Sequence, residues 1–206
     1  MDKNEVIKKR YNRISGIYDV MDKMIKEEWR FNFLSDVSGK VLEVGIGTGA
    51  NLYYYPNKIQ SLTGIDFSKG MLKHAKEKVS KGNFTFPIEL IEADIQALPF
   101  LDNTFDTVVS TCVFCSVPDP FIGFRELRRV CKPTGRILML EHMRSENQLV
   151  GAIMDMLNPL TVRLWGANIN RETTKTIESL GLKIETNAPL MGSIIKHLSV
   201  NPNKEN

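Results

Sequence analysis

Lys40-Val41-Leu42-Glu43-Val44-Gly45-Ile46-Gly47-Thr48-Gly49-Ala50-Asn51 is the stretch that decides how this 206-residue chain is read. Val41, Leu42 and Val44 form a short apolar run, as in a strand buried on both faces. Three glycines at alternate positions follow. Glycine adopts positive φ freely and lets a ligand approach the backbone with no Cβ in the way. Gly49 to Tyr54 reads as a helix stopped by Pro56, which has no N–H to donate. Strand, glycine turn and helix in succession open the first crossover of a doubly wound, nucleotide-binding α/β sheet.

Two ligands fit that turn. Gly45, Gly47 and Ala50 satisfy the dinucleotide spacing G-x-G-x-x-G/A, and Asp66 lies about 20 residues on, where a ribose-binding acid belongs. Read so, the chain is a nicotinamide-dependent dehydrogenase. Glu43, however, stands just before the first glycine, at the mouth of the strand. A carboxylate there repels a pyrophosphate and suits a cation. S-adenosylmethionine carries an ammonium and a sulfonium and no phosphate, so Glu43 favours it.

Outward from the turn, the pattern repeats. Ser61 to Ile65 is the second strand, ending in Asp66-Phe67; Ser68 caps a helix whose buried stripe is Met71, Leu72, Ala75 and Val79. Asp66 then sits beside the glycine turn, able to accept both ribose hydroxyls. Ile88 to Ala93 is the third strand, followed by Asp94 to receive an adenine amino group and Ile95 to pack on the ring. Phe105 to Thr111 is the fourth, leading into Cys112-Val113-Phe114-Cys115-Ser116-Val117-Pro118. Asp119 caps the next helix with Pro120 in its first turn, and Phe121, Ile122, Phe124, Leu127 and Val130 are expected to point inward. Thr134-Gly135 is a turn before the fifth strand, Arg136 to Leu140, which ends in Glu141-His142. Met143 to Asn170 is rich in Met, Leu and Trp and lies over the strand ends, where it either covers an apolar acceptor or completes the core. Asn170 is expected to cap a helix from Arg171 to Leu180, stopped by Gly181. Leu182 to Thr186 and Ser193 to Ser199 are the last strands, as a hairpin.

Asn4 to about Leu34 reads as helical, with apolar residues at Ile14, Ile17, Tyr18, Met21, Met24, Ile25, Trp29 and Phe33. The segment is expected to pack on the sheet, to cover the site as a lid, or to touch a membrane surface. Three units follow: residues 1–36 as a helical lid, 37–200 as the cofactor-binding domain, and 201–206 as a frayed tail.

Composition excludes several classes. A 42% apolar and 25% charged chain is ordinary for a globular domain, and a net charge of +3 is too small to argue for nucleic acid. Cys112, Cys115 and Cys131 are few and odd in number, which speaks for a reducing compartment and against a disulfide framework. Cys112 and Cys115 have zinc or redox spacing, but no second ligand pair follows, so no metal is expected. Met1 to Arg10 is polar, and the apolar stretch Leu149 to Trp165 is broken by Asp155, Asn158, Pro159 and Arg163, so neither a leader nor a membrane span is read. The expectation is a cytoplasmic protein, in contact with a membrane surface if the N-terminal helix provides it, acting as a monomer.

Taken together, Glu43 to Gly49, Gly64-Ile65-Asp66, Ala93-Asp94 and Lys132 to Leu138 resemble the motifs of class I S-adenosylmethionine-dependent methyltransferases. The resemblance covers residues 8 to 200. It implies an α/β, Rossmann-like, seven-stranded sheet, mostly parallel with an antiparallel last strand and helices on both faces. It implies cofactor roles for Glu43, Gly45, Gly47, Gly49, Asp66, Asp94 and Ile95; Asn51, Phe67 and Thr111 stand beside them. Tyr11 to Asp19 is similar to the start of quinone-biosynthesis methyltransferases. Thr111 to Pro118, Leu140 to His142 and Trp165 to Arg171 are more similar to soluble bacterial phosphatidylethanolamine N-methyltransferases and related thiol S-methyltransferases. These relatives imply a lipid or small apolar acceptor, with a phospholipid amine first and a thiol or quinone carbon as alternatives.

Methyl transfer needs an aligned, unprotonated nucleophile, for which the sequence offers His142 as a base and Tyr18 and Tyr11 as acceptor contacts. His74 and His197 are set aside by position. Two rivals stay open beside the dehydrogenase: a protein that binds the cofactor without turnover, and a nucleic-acid methyltransferase. The latter is disfavoured, because no Asn/Asp-Pro-Pro-Tyr-like element follows the fourth strand.

Overall fold

The computed structural model describes residues 25–204. Its strands are β1 (Lys40–Val44), β2 (Ser61–Asp66), β3 (Ile88–Glu92), β4 (Phe105–Thr111), β5 (Cys131–His142), β6 (Lys183–Met191) and β7 (Ile195–Asn201). They form one sheet in the order β3-β2-β1-β4-β5-β7-β6. β1 pairs in parallel with both β2 and β4, β2 with β3, and β4 with β5. β7 runs antiparallel to β5 and β6, so it alone opposes the other strands. The order reverses between β1 and β4, and a crevice opens at the carboxyl ends where such a reversal occurs.

The apolar run of β1 reflects burial on both faces. Leu42 and Val44 join Val108, Ile137, Met139, Phe124, Leu127 and Ile177 in one core. Val41 joins Leu62, Leu72, Val109, Leu138, Leu140, Phe33 and Leu34 in the other. The first face is covered by α3 (Pro120–Val130) and α5 (Thr173–Ser179), the second by α1 (Glu27–Leu34) and α2 (Lys69–Lys81). Caps fall where short polar side chains occur: the Ser68 side chain accepts from the Met71 N–H, and Asp119 from those of Phe121 and Ile122.

Several local expectations are corrected. After Gly49 the chain makes turns and a three-residue 3₁₀ helix, Leu52–Tyr54, instead of an α-helix. Gly49 has φ +78°, outside the right-handed helix, and Pro56 leaves too little chain to build one. β5 begins earlier than expected: Phe105 pairs with Cys131 and Thr107 with Arg136, so Thr134-Gly135 lies within an irregular stretch of the strand. Phe121 and Ile122 are exposed, because the inward stripe of α3 runs through Phe124, Leu127 and Val130. Asn170 is not a cap; α5 starts at Thr173, and the Asn170 amide donates to Asp155. The Met- and Leu-rich stretch holds an 18-residue helix, α4 (Gln148–Trp165), capped by Asn147 and ended by Gly166 at φ +80°.

Of the units read from sequence, residues 27–34 pack into the core through Phe33 and Leu34. The segment expected to fray is tied down as far as residue 204: Lys204 Nζ donates to the carbonyls of Arg129 and Cys131, and Asn203 donates to that of Gly181. Residues 1–24, with Tyr11 and Tyr18, lie outside the described residues, as do 205–206.

Phe114, just after β4, stacks on Phe124 of α3 with ring centroids 3.9 Å apart, and both are buried. Phe124→Ala removes a stacked ring from a filled core and should destabilise the fold by roughly 3–5 kcal/mol. Urea unfolding checks this as a lower midpoint at unchanged slope.

Candidate active site

A cleft opens at the carboxyl ends of β1, β2 and β4. The glycine turn, Asp66 and Phe67, Met71, the Ala93–Ile95 segment and the loop from Thr111 to Pro118 line it. The sequence-predicted Gly45, Gly47, Asp66, Phe67, Asp94, Ile95 and Thr111 are therefore brought together. Gly45 and Gly47 both have positive φ, +62° and +57°. A Cβ on Gly45 would lie 2.5 Å from Cγ2 of Val113, so only a bare backbone fits there. Gly49 sits outside the cleft; a Cβ on it would meet the Leu52 side chain.

Asp66 is the best-defined group in the cleft. Its Oδ2 accepts from the Gly47 N–H at 2.9 Å and its Oδ1 from the Ser68 N–H at 2.8 Å. Burial is the dominant influence on the carboxyl and pushes it up from 3.8 to about 6, against the opposing pull of backbone N–H donors. Asp94 accepts from the Gln96 N–H at 2.9 Å, and Ile95 is buried against the cleft wall.

Glu43 is not part of the lining. It is 2% exposed, and the Asn51 amide and the Tyr55 hydroxyl each donate to one of its oxygens, at 2.8 and 2.9 Å. Asn51 also donates to Thr111 Oγ1 at 2.9 Å and accepts from the buried Arg30 guanidinium. Glu43 and Asn51 thus brace the turn and the end of β4 from behind, and α1 reaches this network through Arg30. Sequence reading passed over Arg30 and Tyr55, because pattern reveals neither the depth of a cation on a short helix nor the partner of a phenol.

His142 also stands outside the lining. It is partly buried, and burial alone holds its imidazole below the usual range, so it is neutral at pH 7. Its neighbour Glu141 is the group that sequence reading underrated. Glu141 is fully buried, and its Oε1 accepts from the Ser110 hydroxyl at 2.6 Å and the Val113 N–H at 3.1 Å. The signal available was a carboxylate ending the apolar run Ile137–Leu140. Cys112, whose thiol spacing drew attention, is instead a backbone feature: φ +53° in a cleft-lining residue without a glycine's freedom.

The residues present suit an adenosyl group. Two positions without a Cβ allow close approach, an acid is fixed by backbone N–H donors, and Ile65, Met71, Ile95, Val113 and Val117 give an apolar wall.

Known proteins agree. A methyltransferase domain family matches residues 42–139. A phosphatidylethanolamine N-methyltransferase of Cereibacter sphaeroides is 35% identical over 152 residues, covering 72% of this chain and 74% of that protein. A demethylmenaquinone methyltransferase of Staphylococcus haemolyticus is 34% identical over 150 residues, 68% of this chain; the chain spans only 62% of that relative's length. Among solved structures, a SAM-dependent methyltransferase from Aquifex aeolicus shares the fold with a TM-score of 0.58 at 20% identity, over 78% of this chain and 80% of that one. The YcgJ protein of Bacillus subtilis shares it at 0.61 and 22%, over 74% and 66%. The choice at the glycine turn therefore falls to S-adenosylmethionine over a dinucleotide, and the chain belongs to the class I S-adenosylmethionine-dependent methyltransferases.

Proposed function

We propose that this methyltransferase acts on a lipid or small apolar acceptor, and specifically on the amine of a phospholipid presented at a membrane surface. The observation that carries the proposal is the outer face of α4. Leu149, Ile153, Met156, Leu160 and Leu164 recur at helical spacing and are all more than half exposed, with Leu157 and Trp165 beside them. An apolar stripe this long on a soluble surface marks an interaction site. No helix among the described residues is long and apolar enough to cross a membrane, so α4 is read as lying on one. The relative at 35% identity is named for the same amine chemistry. Small-thiol and quinone-carbon methylation are the alternatives, the latter favoured by the 34% identity to a demethylmenaquinone methyltransferase.

In this reading Gly45 and Gly47 admit the donor, Asp66 takes the ribose hydroxyls, Asp94 the adenine amino group, and Ile95 and Phe67 flank the ring. Glu43, Gly49, Asn51 and Thr111 keep the cradle in shape. The donor supplies a methyl group made electrophilic by its sulfonium. The chain's own work is alignment and proton removal. His142, neutral at pH 7, takes the acceptor's proton at the strand end beyond the donor cleft. Tyr11 and Tyr18, expected from the sequence to contact the acceptor, lie outside the described residues.

Radiolabelled donor offered in parallel to phosphatidylethanolamine vesicles, small thiols and demethylquinones tests the acceptor. Label is expected in the vesicle lipid; label only in a thiol or a quinone removes the lipid-amine reading. Leu160→Glu should cut turnover on vesicles severalfold while donor affinity stays near normal.

His142→Ala should lower turnover by 10²-fold or more, on the order expected for a general base, with donor affinity little changed. Turnover near the wild-type value at saturating acceptor removes His142 from the chemistry.

Donor binding should depend on Asp66. An ionised carboxylate accepts the ribose hydroxyls more strongly than a protonated one, so affinity for S-adenosylhomocysteine should fall as pH drops through about 6. Calorimetry on Asp66→Asn should show weak binding with that pH dependence gone.

A further inference from the structure

Glu141 lies one residue beyond the last β5 partner of β4: Thr111 pairs with Leu140, and the Cys112 N–H donates to the Leu140 carbonyl. At Cys112 the backbone enters the left-handed region, and the chain turns back over the strand end. A short turn follows, closed by the Ser116 N–H on the Val113 carbonyl. Its leading N–H group, that of Val113, donates to Oε1 of the Glu141 carboxylate, and the Phe114 N–H beside it also favours the ionised form. Ser110, fully buried on β4, donates to the same oxygen. The other oxygen, Oε2, is buried and has no hydrogen-bond partner among the described residues.

The turn held in this way is part of the cleft. Cys112, Val113, Ser116, Val117 and Pro118 line it, and the Val113 side chain occupies the space that a Cβ on Gly45 would take. From its far side the loop is fixed by neutral or cationic donors: Asn168 bonds the Cys115 carbonyl through its backbone N–H and its amide, and Arg171 Nη2 donates to the Val117 carbonyl at 2.7 Å. Glu141 is the anionic anchor of the set.

A wholly buried carboxylate with a bare oxygen is an expensive way to hold a turn. Glutamine has the same shape, can accept the same bonds and carries no charge. What the charge adds is strength, since hydrogen bonds to an ionised acceptor are roughly twice as strong as neutral ones. We propose that Glu141 is a positioning residue of the donor cleft, its ionised carboxylate holding the Val113–Phe114 turn against the glycine cradle. The inference rests on the reading of this cleft as the methyl-donor site.

Two opposed effects distinguish this role from a merely structural one. Burial pushes the Glu141 carboxyl up from 4.5 to about 7. A raised acid means that the folded state prefers the proton, so stability falls as pH rises from about 4.5 to about 7 and stays lower above. Donor binding needs the ionised form and moves the other way. The groups facing Glu141 are the Ser110 hydroxyl on β4, the Cys115 thiol in the loop and, across the β5–β7 pairing, buried Lys196, whose ammonium is paired with Glu146. That thiol is pushed up to about 12, chiefly by burial and further by Glu141 itself, and it stays neutral across the range. Arg171, which interacts with Cys115, stays charged.

The test is calorimetry with S-adenosylhomocysteine from pH 5.5 to 9, beside urea unfolding, on wild type, Glu141→Gln and Asp66→Asn. Glu141→Gln should be more stable than wild type at pH 8 and bind about tenfold more weakly there. In Asp66→Asn a residual pH dependence centred near 7 should remain, and in Glu141→Gln that component should be gone. Wild-type affinity in Glu141→Gln at pH 8, with an unchanged pH profile, overturns the proposal. Failure of wild type itself to bind S-adenosylhomocysteine at any pH overturns the donor reading of the cleft, and the proposal with it.

Discussion

The Val113 side chain, just beyond β4, comes so close to the glycine turn that Gly45 has no room for a Cβ, and the rest of the site follows from that contact. It requires glycine at the mouth of β1, at a φ that other residues avoid. It requires the chain to leave β4 abruptly, which Cys112 does at φ +53°. Strain of this kind persists only where surrounding bonds over-determine it. Here those bonds come from Leu140 on the Cys112 N–H, Glu141 on the Val113 N–H and Asn168 on the Cys115 carbonyl. The adjacency of β1 and β4 across the strand-order reversal makes the contact possible.

Carboxylates recur at this end of the sheet, and each meets a different environment. Glu43 is satisfied by side chains, Asn51 and Tyr55, and so braces structure more than it faces a ligand. Asp66 is held by backbone N–H groups yet lines the cleft, which leaves its remaining lone pairs for a bound molecule. Glu141 crowds its bonds onto one oxygen and leaves the other bare. Glu43 is turned into its own network, so the charge preference read from the sequence is not expressed at the lining, where Asp66 and Asp94 are the acids that a bound molecule meets.

The sheet was readable because its evidence is local. Val41 to Val44, Ser61 to Ile65 and Phe105 to Thr111 carry apolar and β-branched residues between glycine, proline and capping residues, and each became a strand where expected. The place of Asp66 and Asp94 in the cleft lining followed from position, since an acid after a strand of a doubly wound sheet points to the crevice. Residues acting through others were hidden. Arg30 owes its importance to Asn51, and Glu141 to the N–H of Val113, and those pairings depend on strand order. Asn170 misled for a related reason: a good capping residue was already engaged by Asp155, and α5 began elsewhere.

α4 is where sequence periodicity and folded environment disagree most plainly. A Leu- and Met-rich helix should bury its apolar side, yet only Gly151 and Met154 are buried. The same helix is not loosely attached. Asp155 pairs with Arg144, and Asn158 bonds Asn168 and the Ile169 N–H. Asn168 in turn grips the Cys115 carbonyl in the cleft loop. An apolar surface and the donor cleft are thus joined by two asparagine side chains. In the proposed reading, whatever settles on α4 bears on a segment that shares hydrogen bonds with the loop over the glycine turn. A lipid acceptor would then meet the protein on an element already coupled to the site where its methyl group comes from, which a freely diffusing small thiol would not require.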